Sequence, residues 1–382
     1  MPNPNGIFVR SIQLEPPLDR PPDELLREVG SITIVLDGDR RVRIDAADPR
    51  AAGFARVLDG LRAARLPVYV EVDPAAETIT RILVPLTVRV VEVRPQPDVF
   101  EVFVEPSQAL HVLRRDNPDA AELELRLTES RVAGHPIFLI EDDAHDILDV
   151  HAFTPGPDDT PMPPFPPVPG PEPPSRMWWP TMAIRRLLAW FRWWICWLCC
   201  WWRCLSAAKA QDLFDTMAAT TCNPSTVPPP CIPFLFPDDG CWARAHEMCR
   251  LMIATGLSPR KVWIDSVYPH HLHVTTRNNP NCSVNWGWHV APTLCVRGRW
   301  FWQTDRMVID PSLFTTPVTE ATWKGIQGDP TAVLTDTTAD QFWHGGGTDP
   351  NYVASNSILA QYRLALLNRS IHFGPPPYAN CP

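Results

Sequence analysis

Eleven prolines fall within residues 155–174 (PGPDDTPMPPFPPVPGPEPP). Proline has no backbone N–H to give a ladder, and its ring breaks a helix interior. Such a run takes an extended polyproline form and serves as a semi-rigid spacer. Whatever folds in this chain must fold on either side of it. The reading is therefore an acidic unit over 1–150, a proline-rich linker over 151–176, a Trp/Cys-rich segment over 177–205 and a globular domain over 206–382. Charge follows the same division. Residues 1–150 hold 17 Arg and 27 Asp/Glu, a net of −10, against −9 for all 382 residues. That sign excludes nucleic acid as the expected partner. The 31 Arg against 3 Lys read as a compositional bias, not as a binding signal.

The first unit reads as a small β-rich α+β domain. Strand patterns occur at 31–37, 42–45, 67–73, 79–93, 99–105, 122–127 and 137–141. Residues 49–66 place Ala52, Phe54, Val57, Leu58, Leu61 and Leu66 at helical spacing. No catalytic motif stands out there, so a docking or inhibitory module is expected. The start of the chain shows no apolar stretch after a basic segment. A cytoplasmic start is the expectation, with export by a non-Sec route or attachment to a membrane surface left open.

Residues 177–204 (MWWPTMAIRRLLAWFRWWICWLCCWWRC) are apolar enough to suggest a span. Arg192 in their middle argues against one. At helical spacing Arg185, Arg192 and Arg203 share one face, and Trp190, Trp194, Trp197, Leu198 and Trp201 the opposite one. Three readings stay open: a helix lying in a membrane interface, one docking its Trp face on protein, and, least favoured, a true span. Cys196, Cys199, Cys200 and Cys204 ride near the Arg side. One helix face cannot easily surround an ion tetrahedrally, so acylation or apolar packing is expected and no metal.

All eleven Cys lie from Cys196 onward. Cys241 stands in Pro237-Asp238-Asp239-Gly240-Cys241-Trp242, where a Gly-Cys turn opens a predicted helix running to about Thr255. Unpaired N–H groups and the helix dipole favour thiolate at that position. His289 follows in an aromatic strand run, Trp286-Gly287-Trp288-His289-Val290, as a candidate base. Asp310 follows three residues of strand type and is best satisfied by an imidazole N–H. Nucleophile, base and orienter in that order suggest acyl transfer from an amide. His246 points elsewhere on the helix, and Cys249 packs. His270, His271 and His273 lack the partners of a metal site. Cys222, Cys231 and Cys282 can form disulfides in an oxidising compartment, with pairing open. Helices at 206–219 and 355–367 and strands at 261–264, 288–296, 300–303 and 308–310 make this domain α+β.

The stretches PFLFPDDGCWARAHEMCRLM, NWGWHVAPTL and VIDPSLF resemble bacterial protein glutaminases, over about residues 206–368. The resemblance implies a papain/transglutaminase-like catalytic domain and a triad of Cys241, His289 and Asp310. It implies hydrolytic deamidation of protein-bound glutamine through a thioester, with ammonia release and no cofactor. The partners implied are proteins or peptides bearing Gln; the oligomeric state is left open. The family's pro-segment covers the cleft; this chain departs from that pattern with an acidic domain and a Trp/Cys-rich helix in front, and pairing of the acidic domain with the Arg stripe is the expected way of holding the cleft closed. Backbone N–H groups at the helix start, that of Cys241 included, would hold the oxyanion. Trp242, Trp263, Trp286 and Trp288 are candidates for the cleft wall. The rivals are a transglutaminase or cysteine protease with the same triad. From another class come a delivered effector or toxin and a degenerate binding module.

Overall fold

The computed structural model describes residues 6–153, 204–226, 231–298, 300 and 303–382. The predicted linker and nearly all of the Trp/Cys-rich segment lie outside the described residues. The described chain is a mixed α+β protein built around three large sheets.

Short alternating runs make the first sheet. In Ser31–Val35 the two isoleucines are buried and their neighbours half-buried, as a strand with one covered face requires. Six strands line up in the order Gly6–Val9, Val68–Asp73, Thr78–Leu83, Arg41–Asp45, Ser31–Val35 and Gln13–Glu15. Helices Pro22–Val29 and Ala51–Ala64 accompany it. The second buries Phe54, Ala55, Val57, Leu58 and Leu61, the periodicity read from sequence.

The second sheet is antiparallel, in the order Ile147–Ala152, Ile137–Glu141, Leu86–Pro95, Val99–Glu105 and His111–Arg114. Helix Ala120–Ala133 packs on it, where a strand was predicted over 122–127. The period-2 pattern Glu122-Leu123-Glu124-Leu125 misleads there. The helix buries Leu123 and Leu127, one turn apart, and leaves Leu125 56% exposed. Every residue of the run Glu122–Leu127 is a good helix former.

The third sheet runs Val318–Thr319, Thr304–Val308, Trp288–Arg297, Arg260–Asp265 and Val333–Thr338, antiparallel throughout. Helix Cys241–Ala254 packs on its central strand, Trp288–Arg297. The C-terminal helix Val353–Phe373 joins the parts. Leu364 and Leu367 belong to the core of the first sheet, and Leu359, Tyr362 and Leu366 to a core shared by the second sheet and the helix at Cys241. Gly53 and Gly60 admit it closely: a Cβ on them would lie 2.6 Å from Ile371 and 2.4 Å from Leu364.

Three disulfides tie the later half: Cys204–Cys295, Cys222–Cys231 and Cys282–Cys381. Cys204 is thereby removed from the acylation and metal readings of its segment. Among the described residues no helix is long and apolar enough to cross a membrane.

Candidate active site

Cys241 opens its helix from a turn that only glycine satisfies. Gly240 has φ 79°, and a Cβ there would sit 2.5 Å from the Tyr362 ring. One turn into the helix, buried Arg244 donates through Nη1 to the carbonyls of Phe236 at 2.8 Å and Asp239 at 2.5 Å. The turn is thus held from inside. Burial pushes the Cys241 thiol well above its usual range. The Arg244 charge and the Val290 backbone N–H pull it down, and Asp239 pushes it up. The sequence suggested a thiolate from the helix dipole. Here desolvation wins, and the thiol is protonated.

His289 sits in strand Trp288–Arg297, opposite Ile264. Its ring stacks between Trp286, at 4.4 Å, and Trp323, at 5.4 Å. Its Nε2 lies 2.9 Å from Asp310 Oδ2. Asp310 is in the turn two residues past strand Thr304–Val308. Burial alone would raise its pKa. The electrostatic pull of the adjacent His289 ring and the hydrogen bonds from His289 and Trp323 outweigh that, so it is lowered. An ionised carboxylate only accepts, so Nε2 carries the proton and Nδ1 presents a lone pair. Burial lowers the His289 pKa against the raising effect of Asp310, which leaves the imidazole neutral.

Gln108 completes the site, and nothing in its sequence context pointed to it. It lies between strands Val99–Glu105 and His111–Arg114 and is 1% exposed. The Cys241 backbone N–H donates to Gln108 Oε1 at 2.9 Å. Gln108 Nε2 lies 3.4 Å from His289 Nδ1. A glutamine carboxamide therefore stands with its oxygen on the nucleophile's N–H and its nitrogen toward the imidazole lone pair.

The chain around Gln108 is seated like an added strand. Gly287 N donates to Gln108 O at 2.9 Å and Leu110 N to Asn285 O at 3.1 Å, with an antiparallel bridge between Ala109 and Trp286. Asp239, directly before Gly240, anchors it. Asp239 accepts from Gln108 N at 3.0 Å, Ser107 Oγ at 2.7 Å and Tyr362 OH at 2.6 Å. Asp238 pairs with Arg369 at 2.6 Å, and Arg369 reaches Asp143, in the turn between strands Ile137–Glu141 and Ile147–Ala152, also at 2.6 Å. Behind Ser107, His111 Nε2 lies 2.9 Å from its hydroxyl, and Glu141 takes the Nδ1 atoms of His111 and His145 at 2.5 and 2.8 Å. His111, Glu141 and His145 are metal-ligand types within reach of one another. Both Nδ1 atoms are engaged by the carboxylate, which makes this a hydrogen-bonded support.

The other candidates lie apart. His246 Nδ1 is 3.0 Å from Lys261 Nζ, and Cys249 is buried. His271 pairs with Glu101 at 3.0 Å and His273 with Asn285 at 2.8 Å. Of the four Trp candidates, Trp286 touches the imidazole, while Trp242 and Trp263 pack against Trp288. Trp323, not singled out from sequence, donates to Asp310.

Residues 210–327, which include Cys241, His289 and Asp310, match the model of a family described as Glutaminase. A solved structure of pro-protein-glutaminase is similar, at 19% identity over 78% of this chain and 99% of that chain, with a TM-score of 0.49. A structure of protein-glutaminase from Chryseobacterium proteolyticum is 27% identical over 40% of this chain and 84% of that one, with a TM-score of 0.35. No curated protein matches the chain.

Proposed function

We propose that this protein hydrolyses the side-chain amide of protein-bound glutamine to glutamate, with release of ammonia. One observation carries the reading: a glutamine carboxamide lies between the Cys241 N–H and His289 Nδ1. The glutaminase match over residues 210–327 supports it. In the proposed cycle Cys241 Sγ attacks the amide carbon. The developing oxyanion is held by the Cys241 N–H, which already meets the carbonyl oxygen. His289 takes the thiol proton on Nδ1 and passes it to the leaving nitrogen. Asp310 orients the ring through Nε2–H and stabilises its charged form. Water then enters, His289 Nδ1 takes its proton, and the thioester yields glutamate. The papain/transglutaminase-like description of the domain belongs to the same proposal.

The loop at 107–110 fills the place of an external glutamine, so the described form is closed to protein substrate. Ammonia release and mass spectrometry of a glutamine-rich protein, with the chain intact and after cleavage within 155–174, test the reading. Gln-to-Glu conversion lost in Cys241→Ala supports it. Lys crosslinks would indicate a transglutaminase and backbone cuts a protease, and either would sink it.

A further inference from the structure

Gln108 fills the site with the same chemical group that the site is proposed to hydrolyse. A plug needs only shape, and an apolar side chain would supply it. Here carbonyl oxygen, leaving nitrogen and flanking backbone are all seated: the oxygen on Cys241 N–H, the nitrogen facing His289 Nδ1, the main chain paired at Gly287 and Asn285. Main-chain pairing on both sides of a side-chain pocket is how extended peptides are captured as substrates. Holding reacting groups at contact distance turns a bimolecular step into a unimolecular one.

We infer that Gln108 is the chain's own first substrate, deamidated in cis by Cys241 to a glutamate, and that this single turnover opens the site. The inference rests on the deamidase reading above. The bond between Cys241 Sγ and Gln108 Cδ forms as Cδ–Nε2 breaks. The amide nitrogen leaves as ammonia with the thiol's proton, carried by His289 Nδ1. Water is the one added reactant: its hydroxyl goes to Cδ and its remaining proton back to sulfur.

The product does not fit as the amide did. A carboxylate at 108 cannot donate toward the neutral His289 lone pair. It also lies in the buried field of Asp239 and Asp310, both of which act on the adjacent thiol. A buried charge left without a partner is strongly destabilising. The loop is therefore expelled, and external glutamine gains entry. Burial of the thiol in the closed state slows the step, so the turnover acts as a timer and not as an instantaneous event.

The test follows the intact chain without added substrate. Gln96 and Gln108 fall in one tryptic peptide, residues 90–114, so fragment masses separate the two and Gln96 serves as control. Expected are a one-dalton gain confined to 108, uptake of heavy oxygen from labelled water, and a rate independent of protein concentration. Cys241→Ser keeps Gln108 unchanged, also when mixed with wild type. Gln108→Glu, without cleavage of the chain, is expected to act on an added protein about tenfold or more faster than freshly folded wild type. Conversion in Cys241→Ser alone, or its appearance only on mixing, overturns the cis reaction. An unchanged Gln108 in a chain that deamidates added protein overturns the inference and leaves the proposed function standing. A cleaved chain that deamidates nothing overturns both.

Discussion

Trp323 donates its indole N–H to Asp310 Oδ2 at 3.0 Å, the same oxygen that receives His289 Nε2–H at 2.9 Å. The tryptophan also stacks on the imidazole, so one side chain holds both ends of the His–Asp pair. Trp323→Phe keeps a ring and removes the donor. A hydrogen bond to a charged group is worth about 1.5–3 kcal/mol, and a loss of that order is expected in stability. The Asp310 pKa is depressed in the fold, so its contribution is present above the unfolded value near 3.9 and lost as pH falls through the folded value. Without the indole the folded pKa rises, and acid unfolding of the variant starts at higher pH. Circular dichroism against pH reads this; coincident acid midpoints would count against the role.

Asp310→Asn tests the tautomer. With Asn at 310 its amide can donate to Nε2, which moves the ring proton to Nδ1 and removes the base from the amide side. A fall in kcat on the order of ten-thousand-fold is the precedent for this change in a triad. The readout is kcat on a protein glutamine after cleavage of the linker, with the fold checked by circular dichroism. A variant within tenfold of wild type would remove Asp310 from the mechanism.

Much of this site was readable as candidates because its signals are local. A Gly-Cys turn before a helix, a histidine in an aromatic strand run and an acid after an apolar run each occupy a few adjacent residues. The α+β class followed from the same short patterns. What escaped is non-local. Gln108 meets His289 across 181 residues and Asp239 meets Ser107 across 132; a polar loop between two strands carries no mark of such partners. The thiolate expectation weighed only the unpaired N–H groups and the dipole of the helix start, because burial by a distant loop has no signature at Cys241. The alternating Leu/Glu run at 122–127 was ambiguous by period and was decided by helix propensity and by packing on the second sheet.

The His145 charge, acting through Glu141, is expected to make the seating of the loop pH-dependent. Its pKa reaches about 9: burial lowers it, and Glu141, with Asp238 and Asp239, raises it further. His111, edge-on at 5.5 Å, completes its surroundings. The folded pKa lies above the unfolded 6.5, so the contribution is full below 6.5 and lost as pH rises through about 9. The second sheet is thus expected to grip the helix of Cys241 less tightly in mild alkali. In the intact chain, initial activity on an added protein should climb between pH 7 and 9.5 relative to a His145→Gln variant, which lacks the titration and starts more open. Lys261, lowered by burial to about 8, is common to both chains and cancels in the ratio. Parallel profiles would exclude His145 from the grip.

Cys204–Cys295 fastens the first described residue after the linker to the strand that carries His289. Its two cysteines are 91 residues apart, and those of Cys282–Cys381 are 99 apart. Closing loops of this length is worth about 4–5 kcal/mol in the chain-entropy view, a large share of the roughly 5–15 kcal/mol that holds a domain together. Such bonds persist in oxidising compartments, which makes one the expected working environment of this half of the chain. The paired substitution Cys204→Ser with Cys295→Ser should lower unfolding free energy by about 2–5 kcal/mol, read from the denaturant midpoint. Because the bond lies on the strand of His289 and not among the groups that meet the Gln108 amide, activity below the melting range should stay within a few-fold of wild type. Thiol labelling distinguishes the alternatives: Cys241 and Cys249 are the free thiols among the described residues. Reactive Cys204 or Cys295 in the unfolded, unreduced wild type would show that the pair does not form.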